Sequence, residues 1–106
     1  MANKEVKPRI GILEEMTMDE VRDFAPEVVV VPVGSTEPHG PHLPYGSDTI
    51  EAKAFAENGT MIANSRGARV LCYPVLPISL DVNFSGYQFA LSLRVKTFMR
   101  VLRDIC

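Results

Sequence analysis

The sequence predicts an α/β fold, a three-layer α/β/α arrangement around a mainly parallel sheet that these 106 residues leave incomplete. Three observations lead there. Strand-like and helix-like segments alternate along the chain, the order expected of a parallel sheet with helical crossovers. Val28 to Val33 is continuously apolar and mostly β-branched; a half-exposed strand would alternate, so this run reads as a strand buried on both faces. Val95, Phe98, Leu102 and Ile105 fall on one stripe of the last segment, with Arg94, Lys96, Arg100, Arg103 and Asp104 around it. That spacing describes an amphipathic helix laid on a sheet.

In chain order, Arg9–Leu13 reads as a short first strand. Thr17-Met18-Asp19-Glu20 has the spacing of a capping box, in which the hydroxyl accepts from the N3 amide and Glu20 reaches back. The helix it starts runs to about Phe24, because the residue before Pro26 is pushed out of the helical region. After the valine strand, Gly34 to Ser47 holds three glycines and three prolines in fourteen residues, which marks a loop. Ser47 or Asp48 caps the next helix, which carries Ile50, Ala54 and Phe55. Gly59 costs about 1 kcal/mol relative to alanine inside a helix, so this one ends at Asn58 or continues through Met61 and Ile62. Arg69 to Val75 is a second buried strand, and 76–90 is irregular. The last helix opens at Ser92 or Leu93 and reaches Ile105-Cys106 without the Gly or Asn that commonly closes a helix.

Composition narrows the function classes. Apolar residues make up 46% of the chain, enough for one domain with a core. A net charge of −2, with no Lys/Arg stripe interleaved with aromatics, gives no footprint for nucleic acid. No apolar run approaches the ~20 residues of a membrane helix, and the N-terminus lacks the apolar stretch of a signal peptide. Cys72 and Cys106 share no motif, so reduced thiols in a cytoplasmic protein are expected.

The chemistry concentrates in Pro32-Val33-Gly34-Ser35-Thr36-Glu37-Pro38-His39-Gly40-Pro41-His42-Leu43-Pro44-Tyr45-Gly46-Ser47-Asp48-Thr49. Sites in open α/β sheets form beyond the carboxyl ends of strands, and Glu37 lies four residues past the valine run. Glu37 and His39 are two apart and point the same way in an extended segment. Asp48 returns to that end at the start of the following helix. A carboxylate can bridge two divalent ions ~3.5–4 Å apart. Each residue also has a plainer reading. Asp48 is an ordinary helix cap, His39 and His42 are surface loop histidines, and Glu37 is a solvated carboxylate. Spacing alone leaves the two readings open.

The same eighteen residues closely resemble the signature of the creatininase family, metal-dependent amidohydrolases whose pattern runs roughly P-V-G-S-x-E-Q-H-G-P-H-L-P-L-G-T-D-T. Pro38 stands for the usual Gln, Tyr45 for Leu and Ser47 for Thr. Leu13 to Val21 is similar to the family's opening helix. The resemblance implies two divalent ions, Zn and/or Mn with Fe as a further option. Glu37 would bind one, His39 the other, and Asp48 would bridge them. His42 would line the site without a settled role, and Gly34, Ser35 and Gly40 would let the backbone turn closely. It further implies hydrolysis of a C–N bond in a cyclic amide, formamide or similar small molecule by a metal-activated water, with a homo-oligomer expected of the full-length form; composition adds a cytoplasmic setting with no nucleic-acid or membrane partner.

The family pattern also has parts with no counterpart here. Its remaining ligands, a His and a Glu, come from a later N-G-H-G-G-N-type segment, and the only histidines of this chain are His39 and His42. Near residues 83–93, Gly86 and Leu91-Ser92-Leu93 fit the pattern, but Phe84 takes a His position and Gln88-Phe89-Ala90 replace P-G-T. The expectation is therefore the N-terminal portion of a single creatininase-like domain. The alternatives are a truncated, non-catalytic fragment or subunit that works only with a partner chain, and a small module binding metal through its loop alone.

Overall fold

A computed structural model describes residues 9–106; the signal-peptide reading falls largely on residues outside that range. The described chain forms helix α1 (Met18–Phe24), strand β1 (Val28–Val30), helix α2 (Ser47–Ser65), strand β2 (Val70–Cys72) and helix α3 (Val95–Ile105). β1 and β2 pair in parallel, Val28 opposite Val70 and Val30 opposite Cys72. The α/β class is thus as the element order implies, with a two-stranded sheet. Two compact units can be distinguished. One comprises the chain up to Val31 with Ala56–Pro74, the other Pro32–Phe55 with Val75–Cys106.

The first unit holds the sheet. Its capping box is present as the sequence suggests: Thr17 Oγ1 accepts from the Glu20 amide at 3.2 Å, and Glu20 accepts from the Thr17 amide at 2.8 Å. α1 stops where Ala25, before Pro26, turns left-handed at φ 49°. The expected first strand is not formed. Gly11 sits at φ +110° and Ile12 donates back to the Arg9 carbonyl, so this stretch turns instead of extending. Only Ile12 joins β2, through a parallel bridge to Cys72, before a 3₁₀ turn at Leu13–Glu15.

Ile12, Leu71 and Cys72 are buried and form the apolar centre of this unit. The face that α2 turns to it is polar. Glu57, Thr60 and Asn64 follow helical spacing, with Glu57 bonded to Arg9 at 2.8 Å. The Asn64 side chain donates to the Val70 carbonyl and accepts from its amide. The apolar residues expected to carry this helix, Ile50, Phe55 and Ile62, are exposed. α2 runs unbroken through Gly59; beyond it Thr60 is buried and Asn64 is held by its two bonds to Val70.

The valine run also differs from expectation. Val28 and Val29 are 54% and 45% exposed. β1 has β2 on one side, and among the described residues no other strand flanks it, so the double burial of an interior strand is not reached. β2 fits better, with Leu71 and Cys72 buried.

In the second unit, α3 begins at Val95 because residues 91–93 are held extended. Leu91 bridges Thr36, Leu93 donates to the Ser79 carbonyl at 2.9 Å, and Ser92 Oγ accepts from the Asp81 amide at 2.8 Å. No residue of α3 is fully buried. Among the described residues, no helix is long and apolar enough to cross a membrane. Cys72 is a buried free thiol and Cys106 an exposed one. Burial pushes the Cys72 thiol pKa upward, which keeps it protonated.

Candidate metal centre

The site begins with the backbone of the second unit. Past β1, the Leu76 amide donates to the Pro32 carbonyl at 3.0 Å and the Gly34 amide to the Leu76 carbonyl at 2.8 Å. Ser79 Oγ donates to the Gly34 carbonyl and Thr36 Oγ1 to the Pro77 carbonyl, both at 2.7 Å. These bonds fasten residues 32–36 despite their loop composition. Thr49 Oγ1 donates to the Ser35 carbonyl at 3.0 Å, which ties the first turn of α2 to the same stretch. The approach is too close for a side chain at Gly34: a Cβ there would lie 2.6 Å from Thr49 Cα and 2.9 Å from its nitrogen. Further along, Gly40 turns left-handed at φ +64°, and the Glu37 amide donates to the Tyr45 carbonyl at 3.2 Å.

On this frame Glu37, His39 and Asp48 converge. Each offers a donor atom within 4.8 Å of the others. His39 Nε2 is 3.0 Å from Asp48 Oδ2 and 3.6 Å from Glu37 Oε1. The side chains are 12%, 26% and 36% exposed for Glu37, His39 and Asp48, so the group opens to solvent on the Asp48 side. Ser35 is buried behind them. Its hydroxyl lies 2.7 Å from Asp48 Oδ2 and 3.2 Å from Glu37 Oε1, and with one proton it donates to one of them at a time. Ser35, Glu37 and His39 alternate along the chain, and the spacing of two brings their side chains to one side.

The two carboxyl groups are driven apart. Contact with the Asp81 carboxylate, then the bond to Asp48 and burial, pushes Glu37 up to about 7. Bonding from Ser35, then Glu37 and His39, holds Asp48 below the ordinary carboxylate range. Below about 7 the proton therefore stays on Glu37, while Asp48 is ionised.

His42 is exposed and lies outside this group. Asp81, which sequence reasoning passed over within an irregular stretch, is 5% exposed and lies against Glu37. The signal available for it was an acidic residue between Leu80 and Val82 in the loop that follows β2.

Two carboxylates and an imidazole form a donor set suited to Zn, Mn or Fe. The surroundings fit a cation: anionic oxygens meet at close range, and Asp81 Oδ2 is buried with no hydrogen-bond partner. A surface cleft in the first unit, lined by Ile10, Phe24 and Arg69 among others, contains none of these donors.

Comparison with known proteins agrees with the loop signature. The Creatininase family model (creatinine amidohydrolase) matches residues 14–106. A mycofactocin precursor peptide peptidase of Mycobacterium tuberculosis is 43% identical over 53 residues, covering 50% of this chain and 21% of the relative. A 3-dehydro-scyllo-inosose hydrolase of Thermotoga maritima is 33% identical over 73 residues, covering 67% and 24% respectively. The chain therefore spans about a fifth to a quarter of the length of these relatives. In fold it is similar to a Bacteroides fragilis protein provisionally described as a creatinine amidohydrolase, with TM-score 0.74 and 24% identity over 91% of this chain and 39% of the other. With the family model matched over nearly the whole length, the chain belongs to the creatininase family.

Proposed function

We propose that this chain supplies Glu37, His39 and Asp48 to the divalent-metal site of a hydrolase that cleaves a C–N bond. The observation that carries the reading is the convergence of these three donors within 4.8 Å, on a loop whose backbone is fastened at Gly34, Ser35 and Thr36. The family supports the reaction class. Two of its members above are named as a peptidase and a hydrolase, and its model as an amidohydrolase.

Glu37 and His39 would serve as separate donors and Asp48 as the shared one, so that two cations are held. Bound there, divalent cations lower the pKa of water and polarise a carbonyl oxygen. The chain's own residues do the rest. Ser35 donates to Asp48 and fixes the carboxylate that must be ionised to bind. Glu37, with its pKa near 7, is the group that gives up a proton when a cation enters. His39 presents Nε2 toward both carboxylates; without a cation that nitrogen donates to ionised Asp48, and to bind a cation the ring would turn a lone pair there and carry its proton on Nδ1. The substrate class is a small amide, a cyclic amide, formamide or short peptide, in a cytoplasmic setting.

The test is amine or ammonia release from a panel of creatinine, formamide and short peptides, after loading with Zn²⁺ or Mn²⁺. Cleavage of at least one substrate that is metal-dependent and lost in Glu37→Ala, His39→Ala and Asp48→Ala is expected. Absence of divalent-metal binding, or cleavage that Asp48→Ala leaves intact, would overturn the reading.

A further inference from the structure

We propose that the surface cleft of the first unit binds a small organic cation: an amine, amidinium or guanidinium carried on an apolar body. None of the metal donors takes part in it.

The cleft has a volume of about 540 Å³, within the range of roughly 300–1,000 Å³ typical of small-molecule pockets. One wall is α1, where Glu20, Asp23 and Phe24 are three and four residues apart and share a face. The other is the turn from α2 into β2, at Asn64, Ala68 and Arg69, and Ile10 completes the lining. Bonds within the chain hold these walls in place. Arg69 Nε donates to the Ala25 carbonyl just past α1 at 2.9 Å, and its guanidinium pairs with Glu27. The turn is closed by the Gly67 amide on the Asn64 carbonyl and the Ala68 amide on the Ala63 carbonyl, both at 3.2 Å. The cleft is therefore formed before anything enters it, which lowers the cost of binding.

Its charge selects the ligand. Arg69 is neutralised by Glu27, and the Asn64 side chain is fully engaged on Val70. Glu20 accepts from the Thr17 amide through one carboxylate oxygen. Asp23 has no hydrogen bond or ion pair among the described residues. Three carboxylates, Glu20, Asp23 and Glu27, thus stand against one guanidinium, Arg69, and leave an excess of two negative charges. A cation complements that excess and an anion does not. Phe24, Ala68 and Ile10, the last 42% exposed, supply apolar surface that a ligand's body removes from water. An aromatic ring beside carboxylates favours a cation further.

The test is a 15N-resolved NMR titration of the metal-free 106-residue chain with benzamidine, with benzoate and with the tripeptide Gly-Lys-Gly, repeated on Asp23→Asn. Benzamidine should give saturable shifts at the amides of Asp23, Phe24 and Ala68. Asp23→Asn should weaken its binding by about 3-fold or more, and added salt should weaken it in the unsubstituted chain. Absence of saturable shifts, shifts confined to residues 35–48, an equal response to benzoate, or unchanged affinity in Asp23→Asn would overturn the assignment. Tighter binding of the tripeptide than of benzamidine would give the cleft to a peptide side chain and overturn the small-molecule reading. Should Asp23→Asn fail to fold, the contrast between benzamidine and benzoate decides.

Discussion

Replacing Gly34 with alanine tests how the fold places the metal ligands. The added methyl would sit 2.5 Å from Thr49 Oγ1, 2.6 Å from Thr49 Cα and 2.9 Å from Thr49 N. A hydroxyl can rotate away, but the other two atoms are backbone in the first turn of α2. To reach the ordinary contact distance of about 3.4 Å, Thr49 Cα must retreat by about 0.8 Å. Asp48 precedes Thr49 in the chain and moves with it. Metal–ligand distances tolerate roughly ±0.2 Å, so the retreat is several times what the site can absorb. Overpacking of this kind costs about 1–3 kcal/mol of stability, and the displaced carboxylate should weaken Zn²⁺ binding by at least ~10-fold. Urea unfolding and a Zn²⁺ competition titration measure the two effects. Gly86→Ala is the control, because a Cβ there meets nothing within 4 Å. A Gly34→Ala variant with both stability and affinity unchanged would refute the claim that this contact sets the position of Asp48.

Three further outcomes are expected. Gly59 lies exposed inside α2 with open space at its Cβ position, so Gly59→Ala should raise stability by about 0.5–1 kcal/mol in urea unfolding. Thr17→Ala removes the hydroxyl that accepts from the Glu20 amide and should lower stability by about 1 kcal/mol, read from the same unfolding curves. In the metal-free chain Glu37 titrates near 7 when folded and near 4.5 when unfolded. A raised folded pKa contributes stability that is full below 4.5 and lost as pH rises through about 7. Unfolding between pH 5 and 7.5 should therefore show a loss on the order of 2 kcal/mol that Glu37→Gln removes. Asp48, shifted downward, acts below this window.

What could be read from the sequence was local. The Thr17–Glu20 box, the stop before Pro26 and the loop from Gly34 to Ser47 depend on neighbours a few residues away, and the structure has each of them. The juxtaposition of Glu37, His39 and Asp48 was also legible, because strand, turn and helix follow one another directly in a βα unit. Burial was harder to infer, since it depends on what lies opposite. Val28 and Val29 have the composition of an interior strand, yet the sheet has only two strands. α2 turns Glu57 and Thr60 inward, which required knowing that Arg9 and Gly11 would meet them. Asp81 was invisible for the same reason. It lies 44 positions from Glu37, and its only local mark is an acidic side chain between Leu80 and Val82.

The most direct measurement is a calorimetric titration of the 106-residue chain with Zn²⁺ and with Mn²⁺, repeated on Asp48→Ala and on Glu51→Ala. Asp48 and Glu51 are carboxylates three residues apart on α2, but Glu51 is exposed and outside the cluster. A metal centre at Glu37, His39 and Asp48 predicts saturable binding that Asp48→Ala abolishes and Glu51→Ala leaves intact. Saturable binding that survives Asp48→Ala unchanged, or no binding by the unsubstituted chain, would contradict it.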